Sequence, residues 1–199
     1  MKQLTRPILL LIPILAGVIA FALPPEEEEL ELVPETTEKV SSEAFEQMMS
    51  VVTHKRCMNC HPAGDRPRQG EDSHIHNFEV QRGEDGHGTL ALRCESCHQT
   101  ENNLLSGVPG APHWHLAPRS MGWEGLSKED IARAIIDRSM NGGRSLSEIE
   151  KHMTEDALVL WVFEPGVNNE GIPREKPPID KETYIAAVKQ WVKEGAVIP

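Results

Sequence analysis

Apolar residues recur at helical spacing in the segment that precedes residue 57. Positions i, i+3, i+4 and i+7 of this segment are filled by Phe45, Met48, Met49 and Val52. Such spacing places apolar side chains on one face of an α-helix. Ser41 or Ser42 is the candidate N-cap. We expect this helix to run through residues 57–61 and to end at Pro62.

Three helices are predicted between residue 127 and residue 163, ahead of the last helix of the chain. Ser127-x-x-Asp130 has the spacing of a capping box that opens a helix over residues 128–140. Ser147-x-x-Glu150 repeats that spacing and predicts the start of the next helix. The apolar stretch at roughly 154–163 predicts a third, which ends before a proline.

The last predicted helix begins at Asp180 and is terminated by Gly195. Its apolar stripe is formed by Tyr184, Ala187, Val188, Trp191 and Val192. Residues 62–125 instead are rich in Gly, Pro and His, show little periodicity and contain no convincing strand. The fold class is therefore mostly α, with one long irregular segment between its helices.

The N-terminus has the pattern of an export signal. Lys2 and Arg6 precede an apolar run over residues 8–23, which is short for a membrane-spanning helix. We predict a signal peptide at 1–22, with an uncleaved membrane anchor as the alternative, and a periplasmic location. Residues 23–40 are rich in Glu and predict an acidic, flexible arm, which leaves 41–199 as one domain.

The net charge of the chain argues against nucleic acid and anionic lipid as partners. The chain has 20 Lys and Arg against 31 Asp and Glu, for a formal net charge of −11 at pH 7. Binding to nucleic acid or to anionic lipid requires the opposite balance.

The four cysteines of the chain form two C-x-x-C pairs, and a histidine follows each pair at once. The two segments are Arg56–His61, "RCMNCH", and Arg93–His98, "RCESCH". Two disulfides or a four-thiolate metal site would use the thiols but would not need either histidine. A c-type haem uses every one of these residues, because two thiols form thioether bonds and the imidazole binds the iron.

The pattern thus predicts two covalently bound haems. Their attachment residues are Cys57, Cys60, Cys94 and Cys97, and their proximal ligands are His61 and His98. The expected fold is a set of cytochrome c-like helices around the two haems, with long irregular loops that wrap them.

Each iron also needs a distal ligand, and the irregular segment supplies candidates. His74 and His76 flank one residue, as do His113 and His115, so each pair offers two imidazoles on one face of an extended chain. We predict His76 and His115 as the distal ligands. The rivals are His54, His74, His113 and Met121, whereas His152 is expected to be structural or exposed.

Arginines and tryptophans are frequent near the predicted haems. Arginine forms bidentate bonds to carboxylates, so these guanidinium groups would pair either with haem propionates or with protein carboxylates at the surface. The arginines are Arg56, Arg66, Arg68, Arg82 and Arg93. The tryptophans would pack on porphyrin or in the core.

The chain resembles known families in two ways. A helix before a C-x-x-C-H and an aromatic-bearing last helix resemble the mono-haem class I cytochrome c plan, although a second haem is inserted and no Met lies just before the last helix. Longer motifs resemble small exported dihaem cytochromes c that are often labelled as a subunit of isoquinoline 1-oxidoreductase, a molybdenum hydroxylase. They are "HKRCMNCHPAGDRPRQG" (54–70), "HNFEVQRGEDGHG" (76–88), "CESCHQTENN" (94–103), "GAPHWHLAPRSMGWEG" (110–125) and "LVLWVFEPG" (158–166).

The resemblance implies electron transfer to or from a partner oxidoreductase such as a molybdenum hydroxylase, with no catalysis by this chain. Two other functions stay open. One is a haem enzyme or sensor with an open iron, of which a dihaem peroxidase is the type case. The other is a zinc-stabilised interaction module.

Overall fold

A computed structural model of the protein describes residues 35–199. The predicted signal segment 1–22 and residues 23–34 of the acidic arm lie outside the described residues. The described part is mostly helical, with little strand. Its α-helices are α1 (Glu35–Val52), α2 (Lys55–Met58), α3 (Lys128–Ile136), α4 (Leu146–Glu155), α5 (Ala157–Leu160) and α6 (Lys181–Lys193).

The first and last long helices form the centre of the fold. α1 packs mainly against α6, and α4 packs against α6 from another side. The predicted apolar stripe of α1 is confirmed, because Phe45, Met48 and Met49 have no exposed surface. In α6, Val188 and Trp191 are equally buried, so the stripe predicted there faces the same core.

The start of α1 differs from the prediction. The helix begins at Glu35, so its first residues come from the range assigned to the acidic arm. Ser41 and Ser42 lie inside the helix rather than at its N-terminus. The helix also ends at Val52 and does not run through the first C-x-x-C-H, because the chain turns at Thr53 and His54 and starts the short helix α2.

Two of the C-terminal helices begin where the sequence did not place them. Ser145, not Ser147, is the N-cap of α4, in a capping box with Glu148. The helix predicted at 154–163 is split, because α4 continues to Glu155 and Asp156 caps the short helix α5. A 3₁₀ turn, Trp161–Phe163, follows α5.

The other two predicted caps are confirmed. Ser127 accepts a hydrogen bond from the backbone N–H of Asp130 at the start of α3, although α3 ends at Ile136 and is shorter than predicted. Asp180 accepts one from the N–H of Thr183 at the start of α6.

Residues 62–125 are largely irregular, as the sequence predicts. Short elements punctuate them: β1 (Arg68–Gln69) pairs antiparallel with β2 (His74–Ile75), and β3 (Gly88–Thr89) pairs antiparallel with β4 (Leu92–Arg93). Three 3₁₀ turns cover Asn77–Glu79, Cys94–Ser96 and Arg119–Met121. Within residues 35–199, no helix combines the length and apolar character that crossing a membrane requires.

Candidate functional site

Each C-x-x-C-H segment folds into one helical turn. In the first, the N–H of Cys60 donates to the carbonyl of Cys57 at 3.0 Å, and His61 continues the turn. In the second, the N–H groups of Cys97 and His98 both donate to the carbonyl of Cys94, at 3.2 and 3.0 Å. The turn brings the two thiols and the imidazole of each segment to one side of the chain.

The two motif histidines share one hydrogen-bonding arrangement. Nδ1 of His61 lies 2.7 Å from the carbonyl oxygen of Met121, and Nδ1 of His98 lies 2.7 Å from that of Pro109. A carbonyl oxygen only accepts, so Nδ1 of each ring carries the hydrogen. Nε2 is left with its lone pair, which is the arrangement found for metal-binding histidines.

The backbone around these two acceptors is also alike. Gly122 follows Met121, and Gly110 follows Pro109. A Cβ at Gly122 would lie 2.7 Å from the carbonyl oxygen of Pro62. A Cβ at Gly110 would collide with the carbonyl oxygens of residues 99 and 101. In both places only glycine allows the acceptor strand to approach the turn that carries the histidine.

Both imidazoles pack face to face on indoles. His61 stacks on Trp123 with ring centres 3.4 Å apart and 12° between the planes. His98 stacks on Trp114 at 4.5 Å and 4°. The stacking and the Nδ1 hydrogen bond together fix the orientation of each ring.

The surroundings also keep these imidazoles neutral. Burial lowers the pKa of His61 to about 3, despite the opposing effect of the bond to the Met121 carbonyl. Burial likewise lowers the pKa of His98, against the effect of the Pro109 carbonyl. A histidine must be neutral to bind a metal, so both are in the required state.

The thiols of the first segment are not suited to thiolate chemistry. Burial raises the pKa of Cys57 to about 12 and that of Cys60 to about 11, with a smaller contribution from a neighbouring thiol in each case. All four cysteines are free of disulfides. Between residues 35 and 199, no three His, Cys, Asp or Glu side chains converge as a metal site of that composition would need. In this structure the four thiols form neither a disulfide nor a four-thiolate cluster.

A cavity opens beside the first segment. Its empty space, including open solvent at its mouth, is about 1010 Å³. Cys57, Cys60 and His61 line part of it. Another part of the lining comes from α4, α5 and the turn that follows, including Ile149, His152, Met153, Leu158, Val159 and Trp161.

The two motif segments adjoin through two adjacent residues of the irregular chain, Leu116 and Ala117. The N–H of Ala117 donates to the carbonyl of Cys60 at 3.3 Å, and the N–H of Leu116 donates to the carbonyl of Gly86 at 2.9 Å. That same carbonyl lies 3.9 Å from Sγ of Cys94. Residues 116–117 thus hold the first and second cysteine pairs beside each other.

A pair of indoles makes a second connection. Trp161 lines the first cavity, and its ring lies edge-on to Trp114 with centres 5.0 Å apart. Trp114 in turn stacks on His98. Asn102 fixes this pair, because its Oδ1 accepts from Nε1 of Trp161 at 2.8 Å and from the N–H of Gly110 at 3.1 Å.

The structure places His76 beside the second segment. Its ring centre lies 6.0 Å from that of His98, with 69° between the planes. Nδ1 of His76 donates to the carbonyl of Asn77 at 2.7 Å, so its Nε2 is also left free. His98 is therefore accompanied by a second imidazole, at the position that the sequence predicts for a distal ligand.

His115 lies beside the first segment, where it lines the cavity with His61. Its Nδ1 donates to the carbonyl of His113, and its ring stacks on His87 with centres 4.9 Å apart. The structure thus brings the other predicted distal ligand to the first site, but engages its ring with a neighbouring imidazole.

Two of the alternative distal ligands, His54 and His74, already have other hydrogen-bonding partners. His54 caps α2 through Nδ1, and its Nε2 lies 3.4 Å from a carboxylate oxygen of Glu175. His74 lies 2.6 Å from Asp72 at the surface.

The other two rivals differ in their surroundings. His113 is exposed and has a left-handed backbone, with a φ of 58°. Met121 lines the first cavity, but its carbonyl is the acceptor for Nδ1 of His61, so its backbone lies behind the proximal ring.

His152 is a cavity residue that the sequence analysis expected to be structural or exposed. It lies on α4 and faces the first cavity together with Ile149 and Met153. Positions 149, 152 and 153 follow the i, i+3, i+4 spacing of one helical face. That spacing is visible in the sequence and would have placed His152 on the buried face of its helix.

The five arginines near the sites pair with protein carboxylates. The pairs are Arg56 with Glu71, Arg66 with Glu79, Arg68 with Glu124, Arg82 with Asp65, and Arg93 with Asp85.

The sequence matches no protein-family model, and neither a curated protein nor a solved structure matches it. The function therefore has to be argued from the residues and geometry described above.

The donor set fits a covalently attached haem better than the other groups considered. Two protonated thiols, one neutral imidazole with a free Nε2, and a mostly apolar cavity occur together at the first segment. The second segment repeats the helical turn, the oriented imidazole and the stacked indole.

Proposed function

We propose that the chain is a dihaem c-type cytochrome that transfers electrons between partner proteins and catalyses no reaction itself. One observation carries the proposal. Both C-x-x-C-H imidazoles donate from Nδ1 to a backbone carbonyl at 2.7 Å, so both present Nε2 from the same helical turn that carries two thiols. Repetition of this arrangement in two unrelated stretches of chain is difficult to explain by packing alone.

The residues have separate roles in this proposal. Cys57 and Cys60 would attach the first haem, and Cys94 and Cys97 the second, through thioether bonds. His61 and His98 would be the proximal ligands. A haem bound at each site supplies a reversible one-electron iron couple, whose potential depends on ligation, hydrogen bonding and burial.

The fold supports the cytochrome c part of the proposal. In the class I cytochrome c plan, the helix before the C-x-x-C-H and the last helix cross near the haem. Here α1 precedes the first segment and packs mainly on α6. Cys57 and Tyr184 of α6 line the same cavity, so the crossing lies beside the proposed site.

The closeness of the two sites supports electron transfer as the function. Residues 116–117 hold both cysteine pairs, and Trp161 and Trp114 connect the first cavity with His98. Two one-electron centres in contact suit a partner whose reaction releases two electrons. Hydroxylation of a C–H bond by water is such a reaction, since it yields an alcohol, two protons and two electrons.

The redox partner protein and the cellular location are proposals that rest on the sequence alone. The family resemblance names a molybdenum hydroxylase, and the predicted signal segment would place the encounter in the periplasm. The net charge of −11 at pH 7 favours a basic docking surface on the partner.

Haem stoichiometry tests the proposal. The protein, expressed with a haem-attachment system and exported, is expected to carry two haems per chain by pyridine haemochrome absorbance and by mass. The double substitution Cys57→Ala and Cys60→Ala should leave one haem, and so should the matched pair Cys94→Ala and Cys97→Ala. Both haems should resist acid–acetone extraction because thioether bonds hold them.

Two results would count against this function. Complete removal of haem from the wild-type protein by acid–acetone would refute covalent attachment. Two covalent haems with a strong high-spin ferric signal and rapid cyanide binding would favour the enzyme or sensor with an open iron instead.

A further inference from the structure

The lining of the first cavity comes from two parts of the chain. One part is the first C-x-x-C-H segment together with residues 115–123. Three hydrogen bonds join its members: Ala117 N–H to the Cys60 carbonyl, Trp123 N–H to the His61 carbonyl, and His61 Nδ1 to the Met121 carbonyl. The other part is formed by α4, α5 and the turn Trp161–Phe163.

A distal ligand has to come from a part of the lining that is separate from the segment supplying His61. His115 lies two residues before Ala117, whose N–H donates to the Cys60 carbonyl, and the Met121 carbonyl accepts from Nδ1 of His61. Both therefore belong to the part of the lining that is hydrogen-bonded to the first segment. The part formed by α4 and α5 is the better source of a sixth ligand.

His152 is the imidazole in the part of the lining that α4 and α5 form. It lies on a regular helix of ten residues, α4, between cavity residues Ile149 and Met153. A helix holds a ligand more rigidly than the irregular segment around His115 does.

Asp156 orients this imidazole. Nδ1 of His152 lies 3.2 Å from Oδ2 of Asp156, and a carboxylate only accepts, so Nε2 is the free nitrogen. Oδ1 of Asp156 accepts from the N–H groups of Leu158 and Val159, at 2.9 and 3.4 Å. The carboxylate is thus fixed by the start of α5 and holds the ring as carboxylates do for metal-binding histidines.

From this arrangement we infer that His152 is the distal ligand of the iron bound by His61, and that Asp156 is its positioning residue. The inference deepens the proposed function and rests on it. His115 then stacks on His87, with ring centres 4.9 Å apart. Lys151, one residue before His152 on α4, is exposed.

Substitution at three positions tests the assignment. With two covalent haems per chain retained, His152→Ala should convert one haem to a high-spin form that binds cyanide or imidazole, seen by electron paramagnetic resonance and absorbance. His115→Ala tests the competing imidazole and should leave both haems low-spin. Lys151→Ala, at the exposed neighbour of His152 on α4, is the matched control and should also leave both haems low-spin. His152→Met should keep a low-spin haem with a raised reduction potential, since methionine ligation raises it.

Asp156→Asn tests the positioning role. Asn caps a helix as well as Asp, so α5 should persist. The weaker acceptor should lower the basicity of His152, and external imidazole should then displace it roughly 10-fold more readily.

The possible outcomes separate the inference from the proposed function. A wild-type protein without covalent haem overturns both. Two haems that stay low-spin in His152→Ala, or a high-spin haem in His115→Ala or Lys151→Ala, overturn the inference alone. If the His152→Ala protein does not accumulate, His152→Met tests the inference instead. A reduction potential and spectrum unchanged from the wild type in that variant would also overturn the assignment of His152 as a ligand.

Discussion

His76 and His98 lie with their ring centres 6.0 Å apart, and each donates its Nδ1 hydrogen to a backbone carbonyl. Metal–imidazole bonds are about 2 Å long, and a ring centre lies about 1 Å beyond the nitrogen, so two imidazoles on opposite sides of one ion have centres roughly 6 Å apart. If His76 is the distal ligand of the iron bound by His98, as the sequence predicts, ring centres about this far apart are required.

Removal of His76 is expected to open the second iron. In His76→Ala, one of the two haems should become high-spin and bind external imidazole or cyanide, while the other stays low-spin. His74→Ala is the matched control, because His74 lies two residues away but is paired with Asp72 at the surface. Absorbance and electron paramagnetic resonance of the ferric proteins measure the effect. Equal spectra for His76→Ala and the wild type would contradict the assignment.

The sequence predicts the contacts within each C-x-x-C-H turn well. It predicts poorly the contacts between residues that are far apart along the chain. Each C-x-x-C-H is a single turn, so its geometry follows from adjacent residues. The Nδ1 acceptor of His61 is 60 residues away, in a segment without periodicity. No pattern in the sequence identifies that contact, and only the folded chain reveals it.

The role predicted for His152 is wrong for a different reason. The spacing of Ile149, His152 and Met153 is present in the sequence, but Ser147 is the predicted start of the helix. Distance along the chain from both C-x-x-C-H segments favours a structural or exposed role. Tertiary packing of α4 brings the residue to the cavity, and none of the motifs that carry the family resemblance includes it.

The true N-cap of α4 can be identified by a pair of alanine substitutions. Ser145 accepts from the N–H of Glu148, and the Glu148 carboxylate accepts from the N–H of Ser145 at 2.8 Å. Ser145→Ala should lower the free energy of unfolding by about 1 kcal/mol. Ser147 is exposed inside the helix, so Ser147→Ala should change it by less than about 0.5 kcal/mol.

Denaturant unfolding followed by circular dichroism measures this difference. The opposite ranking, with Ser147→Ala the more destabilising variant, would support the helix start expected from the sequence.

The cap of α6 makes stability depend on pH. Hydrogen bonds from the backbone N–H and the side chain of Thr183 lower the pKa of Asp180 below its ordinary value of 3.8. A carboxyl with a lowered pKa in the folded state stabilises the fold above its unfolded pKa, and this contribution is lost as the pH falls through the folded pKa. The window therefore lies below about pH 4.

Asp180→Asn is the variant that isolates the charge, because Asn caps equally well but does not titrate. The wild type should be the more stable protein near neutral pH, and its advantage should shrink as the pH falls below about 4. Unfolding curves at several pH values measure the difference. A constant difference between the two proteins over this range would show that the Asp180 charge contributes nothing.

The glycines beside the two Nδ1 acceptors are predicted to be essential for imidazole orientation. Gly122 and Gly110 lie where a Cβ would press on backbone carbonyls next to each C-x-x-C-H turn. Gly122→Ala should push the Met121 carbonyl away from His61, and Gly110→Ala should do the same to the Pro109 carbonyl and His98. Crowding of this kind costs about 1–3 kcal/mol of stability.

Gly64→Ala is the control, because a Cβ there meets no atom within 4 Å. It is expected to be neutral or to stabilise slightly, since alanine restricts the unfolded chain. A weaker Nδ1 hydrogen bond makes the imidazole a poorer donor to ferric iron, so one haem in each glycine variant should show a raised reduction potential. Gly64→Ala should leave both potentials unchanged. Loss of stability in Gly122→Ala or Gly110→Ala without any shift in potential would mean that these glycines serve packing alone and that the Nδ1 bonds do not tune the iron sites.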